Sequence, residues 1–246
     1  MEKVRASAAA ECETIWNDAK DASPDDEYLV RKQVEPHNAR AHNNSIVIPV
    51  MHAGQIASLQ YIYGTEKRFH PGGMVKGCYC TLGEESDTIY ICEGWATGAT
   101  IHEATGDMVY VAFNAGNLMD VAGHVKDAHP DTRLIIAGDD DQFTDGNPGR
   151  AKAGAASEVL RIGVIYPRFN DIGTKPTDFN DLHTLEGIEA VADQLKTKPQ
   201  LYQRSTAYDG MPEPLLTPPG MLGDIASYYN ATARAPQPGF AVQTAL

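Results

Sequence analysis

Apolar residues recur at Val4, Ala8, Cys12, Ile15, Trp16 and Ala19, a helical spacing that predicts one helix with a single buried face. Ser23-Pro24-Asp25-Asp26 ends it. From Ser45 the period changes. Residues 46–50 read as a strand, His52-Ala53-Gly54 as a turn and residues 56–63 as the returning strand. Lys67-Arg68-Phe69 and residues 75–79 read as two further short strands around Pro71-Gly72-Gly73, so this part of the chain is a β-rich unit.

The texture changes again at Thr88. Thr88-Ile89-Tyr90-Ile91-Cys92 is a short apolar run followed by Glu93-Gly94 and a helical stretch to about Ala104. Residues 109–112 form a second such run with a helix over 118–128. Residues 133–137 form a third, with a loop and then a helix over 150–160, and Gly163-Val164-Ile165 a fourth. Apolar strands alternating with helices predict a parallel sheet covered on both faces. The fold class is therefore α/β over residues 88–198, preceded by a smaller α+β lobe over 1–87 that is β-rich and carries much of the basic charge. Beyond Lys198 the chain turns to linker chemistry, with Pro212, Pro214, Pro218, Pro219 and Gly220. A helix is predicted to start near Leu222. Phe240-Ala241-Val242-Gln243-Thr244-Ala245-Leu246 reads as a core helix cut off at its start, so the chain is expected to be a piece of a longer protein, with 199–246 leading into a following domain.

Composition narrows the class. The chain has 246 residues, 42% of them hydrophobic, enough for one large or two small domains. Twenty basic residues against 33 acidic ones leave a net charge of −13. That balance excludes blanket attraction to nucleic acid: contact with phosphates must come from a local basic patch or from acids that carry divalent cations. No apolar run reaches the roughly 18 residues of a membrane span, and Met1-Glu2-Lys3-Val4-Arg5 has no apolar stretch behind it to act as a signal peptide. Cys12, Cys78, Cys80 and Cys92 contain no CxxC pair, which argues against a disulfide framework. A cytoplasmic location is expected.

The acidic residues fall in informative places. In open α/β sheets, ligands bind beyond the carboxyl ends of the strands. Glu93 follows the first α/β strand, Asp139, Asp140 and Asp141 follow the third, and Asp178 with Asp181 follow the fourth after a loop. In an extended segment Asp139 and Asp141 point one way and Asp140 the other. Two like charges about 4 Å apart repel by roughly 4 kcal/mol at an effective dielectric near 20, so such a group must bind protons or hold cations. Oxygen-only ligands suit Mg²⁺ or Mn²⁺ rather than zinc. Taken singly, the Asp run is as well read as a solvated loop, and Glu93 as an acid favoured by a helix N-terminus.

Ile89-Tyr90-Ile91-Cys92-Glu93-Gly94 and Ile135-Ile136-Ala137-Gly138-Asp139-Asp140-Asp141 resemble the Glu-Gly and Asp-x-Asp motifs of the Toprim domain, found in primases, topoisomerases, some nucleases and recombination proteins. Asp178-Phe179-Asn180-Asp181 resembles a further acidic motif of phage-type primases. Residues 46–83 resemble the β-rich lobe that precedes Toprim in bacterial, plasmid and phage primases, with Lys67 and Lys76 the closest matches to its lysines. Tyr28-Leu29-Val30-Arg31-Lys32 resembles the lead-in to that lobe, and Pro218-Pro219-Gly220-Met221-Leu222 the lead-in to the helicase-like domain of primase–helicases. The resemblance implies a nucleotidyltransferase of the DNA primase kind, a DNA-directed RNA polymerase of DNA replication. It implies Glu93 as catalytic acid or base, Asp139, Asp141 and Asp178 (with Glu93) as holders of Mg²⁺ or Mn²⁺, and Lys67 and Lys76 on nucleotide or template phosphates. The implied partners are a single-stranded DNA template, ribonucleoside triphosphates and a helicase domain or protein, with no membrane. Two features depart from the pattern. Thr97 stands where an acid is often found four residues after the Glu, and no zinc-binding module of the template-reading kind is present.

Other candidates complete the picture. His70, Cys78 and Cys80 lack a fourth ligand at zinc spacing. Arg31, Lys32, Arg40, Lys67, Arg68 and Lys76 supply local basic charge to the first half, suiting a single strand laid between these residues and an acidic crevice. Gly146-Asn147-Pro148-Gly149 feeds a helix bearing Arg150 and Lys152; its amides could meet a phosphate or simply start the helix. No GxxxxGK[ST] occurs, so a motor ATPase does not reside here. Beside primer synthesis stand two alternatives: a metal-dependent Toprim nuclease, and a non-catalytic module that binds DNA or a partner.

Overall fold

The structure, a computed structural model, describes residues 2–201 together with Asp224, Ile225 and Tyr228. The predicted linker prolines, the helix near Leu222 and the apolar run from Phe240 lie outside the described residues. Among the described residues no helix is long and apolar enough to cross a membrane.

Residues 2–69 build an antiparallel sheet and two helices. The elements are α1 (Glu2–Asp18), β1 (Lys20–Asp21), α2 (Glu27–Lys32), β2 (Arg40–His42), β3 (Ser45–His52), β4 (Gln55–Tyr63) and β5 (Glu66–Phe69), with the five strands side by side in chain order. Two-residue turns with both residues at positive φ, Asn43-Asn44 and Ala53-Gly54, close the β2–β3 and β3–β4 hairpins. This is the backbone twist that tight hairpins favour. The Asp26 carboxylate accepts from the Tyr28 amide at 2.9 Å to start α2, and Gln33 at φ 53° ends it.

Pairing decides which side chain faces where. Ile46 opposes Ile62, and Ile62 opposes Lys67; Val47 opposes Tyr61, and Tyr61 opposes Arg68. The first set shares one face and the second the other, because strand side chains alternate. Ile46, Ile48 and Ile62 enter a core they share with Leu82, Tyr90, Cys92 and Trp95. On the other side Tyr61 meets His70 (Oη–Nδ1 3.1 Å), and His70 Nε2 lies 3.4 Å from Glu11 of α1.

The second sheet runs β10-β9-β7-β8-β6. Its elements are β6 (Cys80–Leu82), β7 (Thr88–Cys92), α3 (Trp95–Thr105), β8 (Met108–Val111), α4 (Leu118–Ala128), β9 (Arg133–Ala137), α5 (Pro148–Leu160) and β10 (Gly163–Ile165), followed by α6 (Phe179–Glu186) and α7 (Ile188–Leu195). The strands from β10 to β8 are mutually parallel, and β6 closes the edge antiparallel to β8. Strand β7 explains the continuous apolar signal: Ile89 and Ile91 pack with Val121, Val125 and Ala156, while Tyr90 and Cys92 enter the core with Trp95, Phe179 and Leu182. Both faces are buried, so no polar alternation survives.

The strand predicted over 75–79 does not form. Gly77 adopts φ 73° and the Cys78 amide donates to Val75 O at 2.9 Å, a turn that breaks the extended run. Tyr79 makes an isolated bridge to Met51, and the strand begins only at Cys80.

Candidate active site

Strands β7 and β9 are hydrogen-bonded neighbours running the same way, with Ile91 opposite Ile136. Their carboxyl ends therefore release Glu93 and Asp139 at one edge of the sheet. Asp178 arrives from the opposite direction in sequence, as the N-cap of α6, where its Oδ1 accepts the Asp181 amide at 2.8 Å. The Thr97 hydroxyl, from the first turn of α3, also hydrogen-bonds Asp178.

The Asp run divides its labour. Asp140 turns aside, taking a hydrogen bond from Asn147 Nδ2 at 2.6 Å and the Arg150 guanidinium at 2.8 Å. Arg150 in turn lies over the Tyr166 ring, 4.2 Å from its centroid. Asp141 Oδ2 accepts the Gly149 amide at 2.8 Å, so the first turn of α5 meets a carboxylate of its own chain.

The electrostatics mark one group of acids. Burial pushes the Glu93 carboxyl up to about 7, and the charges of Asp141 and Asp178 push it the same way. Burial raises Asp139 well above the usual carboxylate range, with Asp178, Glu93 and Asp141 adding to it. Asp178 is raised by burial and by Asp181, against the pull of Lys32, the Asp181 amide and the Thr97 hydroxyl. Lys67 reaches the same crevice from β5. Much of its side chain touches solvent, yet the atoms crowding its ammonium lower its pKa, while Asp178 and Asp139 hold it up.

Two oxygens in this group, Glu93 Oε1 and Asp139 Oδ1, are buried with no hydrogen-bond partner. Such atoms carry a desolvation cost that a proton or a cation removes. An all-oxygen donor set with open lone pairs fits a hard divalent ion. Among the described residues no three His, Cys, Asp or Glu side chains are gathered tightly enough to hold an ion as they stand, so the carboxylates would have to draw in around one.

The remaining basic residues separate. Arg68 points to the opposite face of β5 from Lys67 and pairs with Glu66 at 2.6 Å. Lys76 lies in the turn before β6, 3.7 Å from Asp120 of α4. Lys152 is exposed on α5. Lys32 was not singled out from the sequence as a site residue, yet its ammonium stands 3.7 Å from Asp181 Oδ1. Its backbone is held there: Asn180 Nδ2 donates to Lys32 O at 2.7 Å and to Thr100 Oγ1 at 2.9 Å, and His183 meets Gln33 O at 2.8 Å. No sequence signal joins α2 to α6. The Asp178-x-x-Asp181 spacing did hold the pattern of a capped helix start.

Residues 88–189 match the family model described as the Toprim domain. The chain is related to DNA primases. It is 40% identical over 127 residues to the DNA primase TraC of Escherichia coli, covering 47% of this chain and 12% of that protein. A second TraC protein of Escherichia coli is 40% identical over 134 residues, 50% of this chain and 9% of the relative. The matched region thus spans only about a tenth of these relatives. Among solved structures, the DnaG primase catalytic domain bound to single-stranded DNA superposes with a TM-score of 0.59 at 12% identity, covering 99% of this chain and 96% of that one. The zinc-binding and RNA polymerase domains of the Aquifex aeolicus primase give 0.55 at 12% identity, covering 97% and 71%. At such identity these structures speak for the fold alone.

Proposed function

We propose that this chain is a DNA primase core that makes short RNA primers on a single-stranded DNA template. The observation that supports this most is the meeting of Glu93, Asp139 and Asp178, with two unpartnered buried oxygens, opposite the ammonium of Lys67. Acids buried together at this cost are retained where their charge is used.

In the proposed reaction the 3′-hydroxyl oxygen of the growing primer attacks the α-phosphorus of an incoming ribonucleoside triphosphate. A new phosphodiester forms, the bond to the β-phosphate breaks and pyrophosphate leaves. Glu93, Asp139, Asp141 and Asp178 would hold divalent ions, Mg²⁺ or Mn²⁺, which when bound stabilise charge on the attacking and leaving oxygens. Glu93, directly or through a water, takes the proton of the attacking hydroxyl. Lys67 and Lys76 neutralise phosphates of nucleotide or template. Arg68, already paired with Glu66, and Arg150, held by Asp140, serve less directly. Lys152 offers a further exposed charge. The lobe over 1–87 and the Toprim domain act as one catalytic unit, and 199–246 leads toward a helicase-like domain or partner.

The test is incubation of the chain with single-stranded DNA, labelled ribonucleotides and Mg²⁺ or Mn²⁺, beside the Asp139→Ala/Asp141→Ala double variant. Short labelled products from the parent alone are expected. Equal products from both would overturn the assignment, and loss of a supercoiled plasmid without any nucleotide would mark a nuclease instead.

A further inference from the structure

Asn117 is a polar residue almost completely inside the protein, at 3% exposure. It sits at the corner between β8 and α4, on the carboxyl-end edge of the parallel sheet, and its own amide is capped by Asn114 Oδ1 at 3.1 Å. Its side chain reaches across to the turn that leads from the antiparallel sheet into β6. Nδ2 donates to Val75 O at 3.1 Å and Cys78 O at 2.8 Å, and also to Ala112 O at 3.0 Å, while Oδ1 accepts the Gly77 amide at 2.6 Å. One amide side chain thus touches four backbone groups of two segments, its two N–H hydrogens shared among three carbonyls.

The turn it grips carries Lys76. Val75 O belongs to the peptide group immediately before Lys76, and the Gly77 amide to the one immediately after it. Gly77 sits at φ 73°, a conformation glycine takes without strain but also leaves easily, so the glycine alone does not fix the turn. The Lys76 side chain is 86% exposed, and its ammonium lies 3.7 Å from Asp120. A surface pair of that kind fixes little. What fixes the lysine is its backbone, and the backbone is held by Asn117.

We infer that Asn117 is a positioning residue: it holds the Val75–Cys78 turn so that the Lys76 ammonium stands ready for a phosphate. This rests on the reading of the chain as a primase core whose lysines contact phosphates. An unbraced lysine arm keeps its charge but loses the pre-set geometry, so its contribution to binding is spent on ordering the turn.

The experiment measures single-stranded DNA binding against salt for the parent, Lys76→Gln, Asn117→Ala and the double variant, all on the full chain. Loss of one phosphate contact lowers the slope of log K against log salt by about 0.7. Lys76→Gln and Asn117→Ala are each expected to show that drop, and the double variant to add nothing to either. A normal slope in Asn117→Ala with a reduced one in Lys76→Gln overturns the inference and leaves the lysine reading intact. A normal slope in Lys76→Gln overturns both. Should Asn117→Ala fail to fold, amide exchange in the parent decides: a protected Gly77 amide supports the brace, and a Gly77 amide exchanging as freely as an open turn overturns it.

Discussion

Gly149 donates its amide to Asp141 Oδ2 at 2.8 Å, and a methyl group at position 149 would stand 2.8 Å from that same oxygen and 2.9 Å from Asp139 Cβ and Asp139 O. The start of α5 and the Asp-x-Asp segment are therefore packed without room for a side chain. Helix and acids are set against each other here, together with the bonds from Asn147 and Arg150 to Asp140.

Gly149→Ala follows directly. The methyl group must push the loop of Asp139 and Asp141 away from α5, and displacements of this size in an active site cost on the order of 100-fold. Primer synthesis is expected to fall 10- to 100-fold while the circular dichroism spectrum stays that of the parent. Unchanged turnover would show that the tight packing does not place the acids.

Asp139→Asn separates stability from activity. The buried carboxylate is crowded by Glu93, Asp141 and Asp178, so removing its charge relieves repulsion in the ion-free protein. The melting temperature without divalent ions is expected to rise by a few degrees, roughly 1 kcal/mol at this chain length. Primer synthesis is expected to be lost. A variant that is less stable and fully active would contradict both halves.

The same acids set a pH dependence. Glu93, Asp139 and Asp178 all bind their protons more tightly in the folded chain than ordinary carboxylates do. Between the ordinary and the folded pKa the native state holds more protons than the unfolded one, so stability falls as pH rises through that window. For Glu93 the window runs from 4.5 to about 7. Thermal melts without divalent ions are expected to give a higher midpoint at pH 5.5 than at pH 8. That difference should shrink in Asp139→Asn, and Mg²⁺ should raise the pH 8 midpoint more than the pH 5.5 one. A midpoint that climbs toward pH 8 in the ion-free parent would contradict the burial of these groups.

Adjacent residues on β5 are expected to behave differently. Lys67 shares a face with Ile62 and feels the charges of Asp178 and Asp139, whereas Arg68 shares the other with Tyr61 and pairs with Glu66. Lys67→Ala should weaken nucleotide use tenfold or more. Arg68→Ala should change it less than twofold, since exposed ion pairs contribute little. Equal losses in steady-state assays of both variants would contradict the orientation of β5.

How much of this was legible in the sequence depended on how local the cause was. The run Thr88-Ile89-Tyr90-Ile91-Cys92 is buried on both faces, and double burial writes itself into five consecutive residues. Strand β9 (Arg133–Ala137) was readable from its apolar run, helix α4 (Leu118–Ala128) from the helical spacing of its one buried face, and the strand-end rule then pointed to Glu93, Asp139 and Asp141. The contrast between Lys67 and Arg68 needed the β4–β5 register, which local composition does not encode. The turn at Gly77 looked like part of a strand because Val75, Cys78 and Tyr79 are apolar, and the bonds that bend it come from Asn117, far along the chain. Lys32 was legible as a basic residue of the first lobe but not as a neighbour of the acids, for a like reason: its partner Asp181 lies on an element joined to α2 only in three dimensions. The turn amides at Gly146-Asn147-Pro148-Gly149 were open to a phosphate or a plain helix start. Asn147 caps Arg150 and Gly149 binds Asp141, so the chain uses them itself.

Whether the buried acids hold cations is read by Mn²⁺ titration followed by electron paramagnetic resonance. At pH 8 the parent is expected to remove Mn²⁺ from the free-ion signal with saturation at a small whole number of ions per chain, and Asp139→Asn to lose that binding while remaining folded. Undiminished binding in Asp139→Asn, or no binding by the parent, would contradict the account.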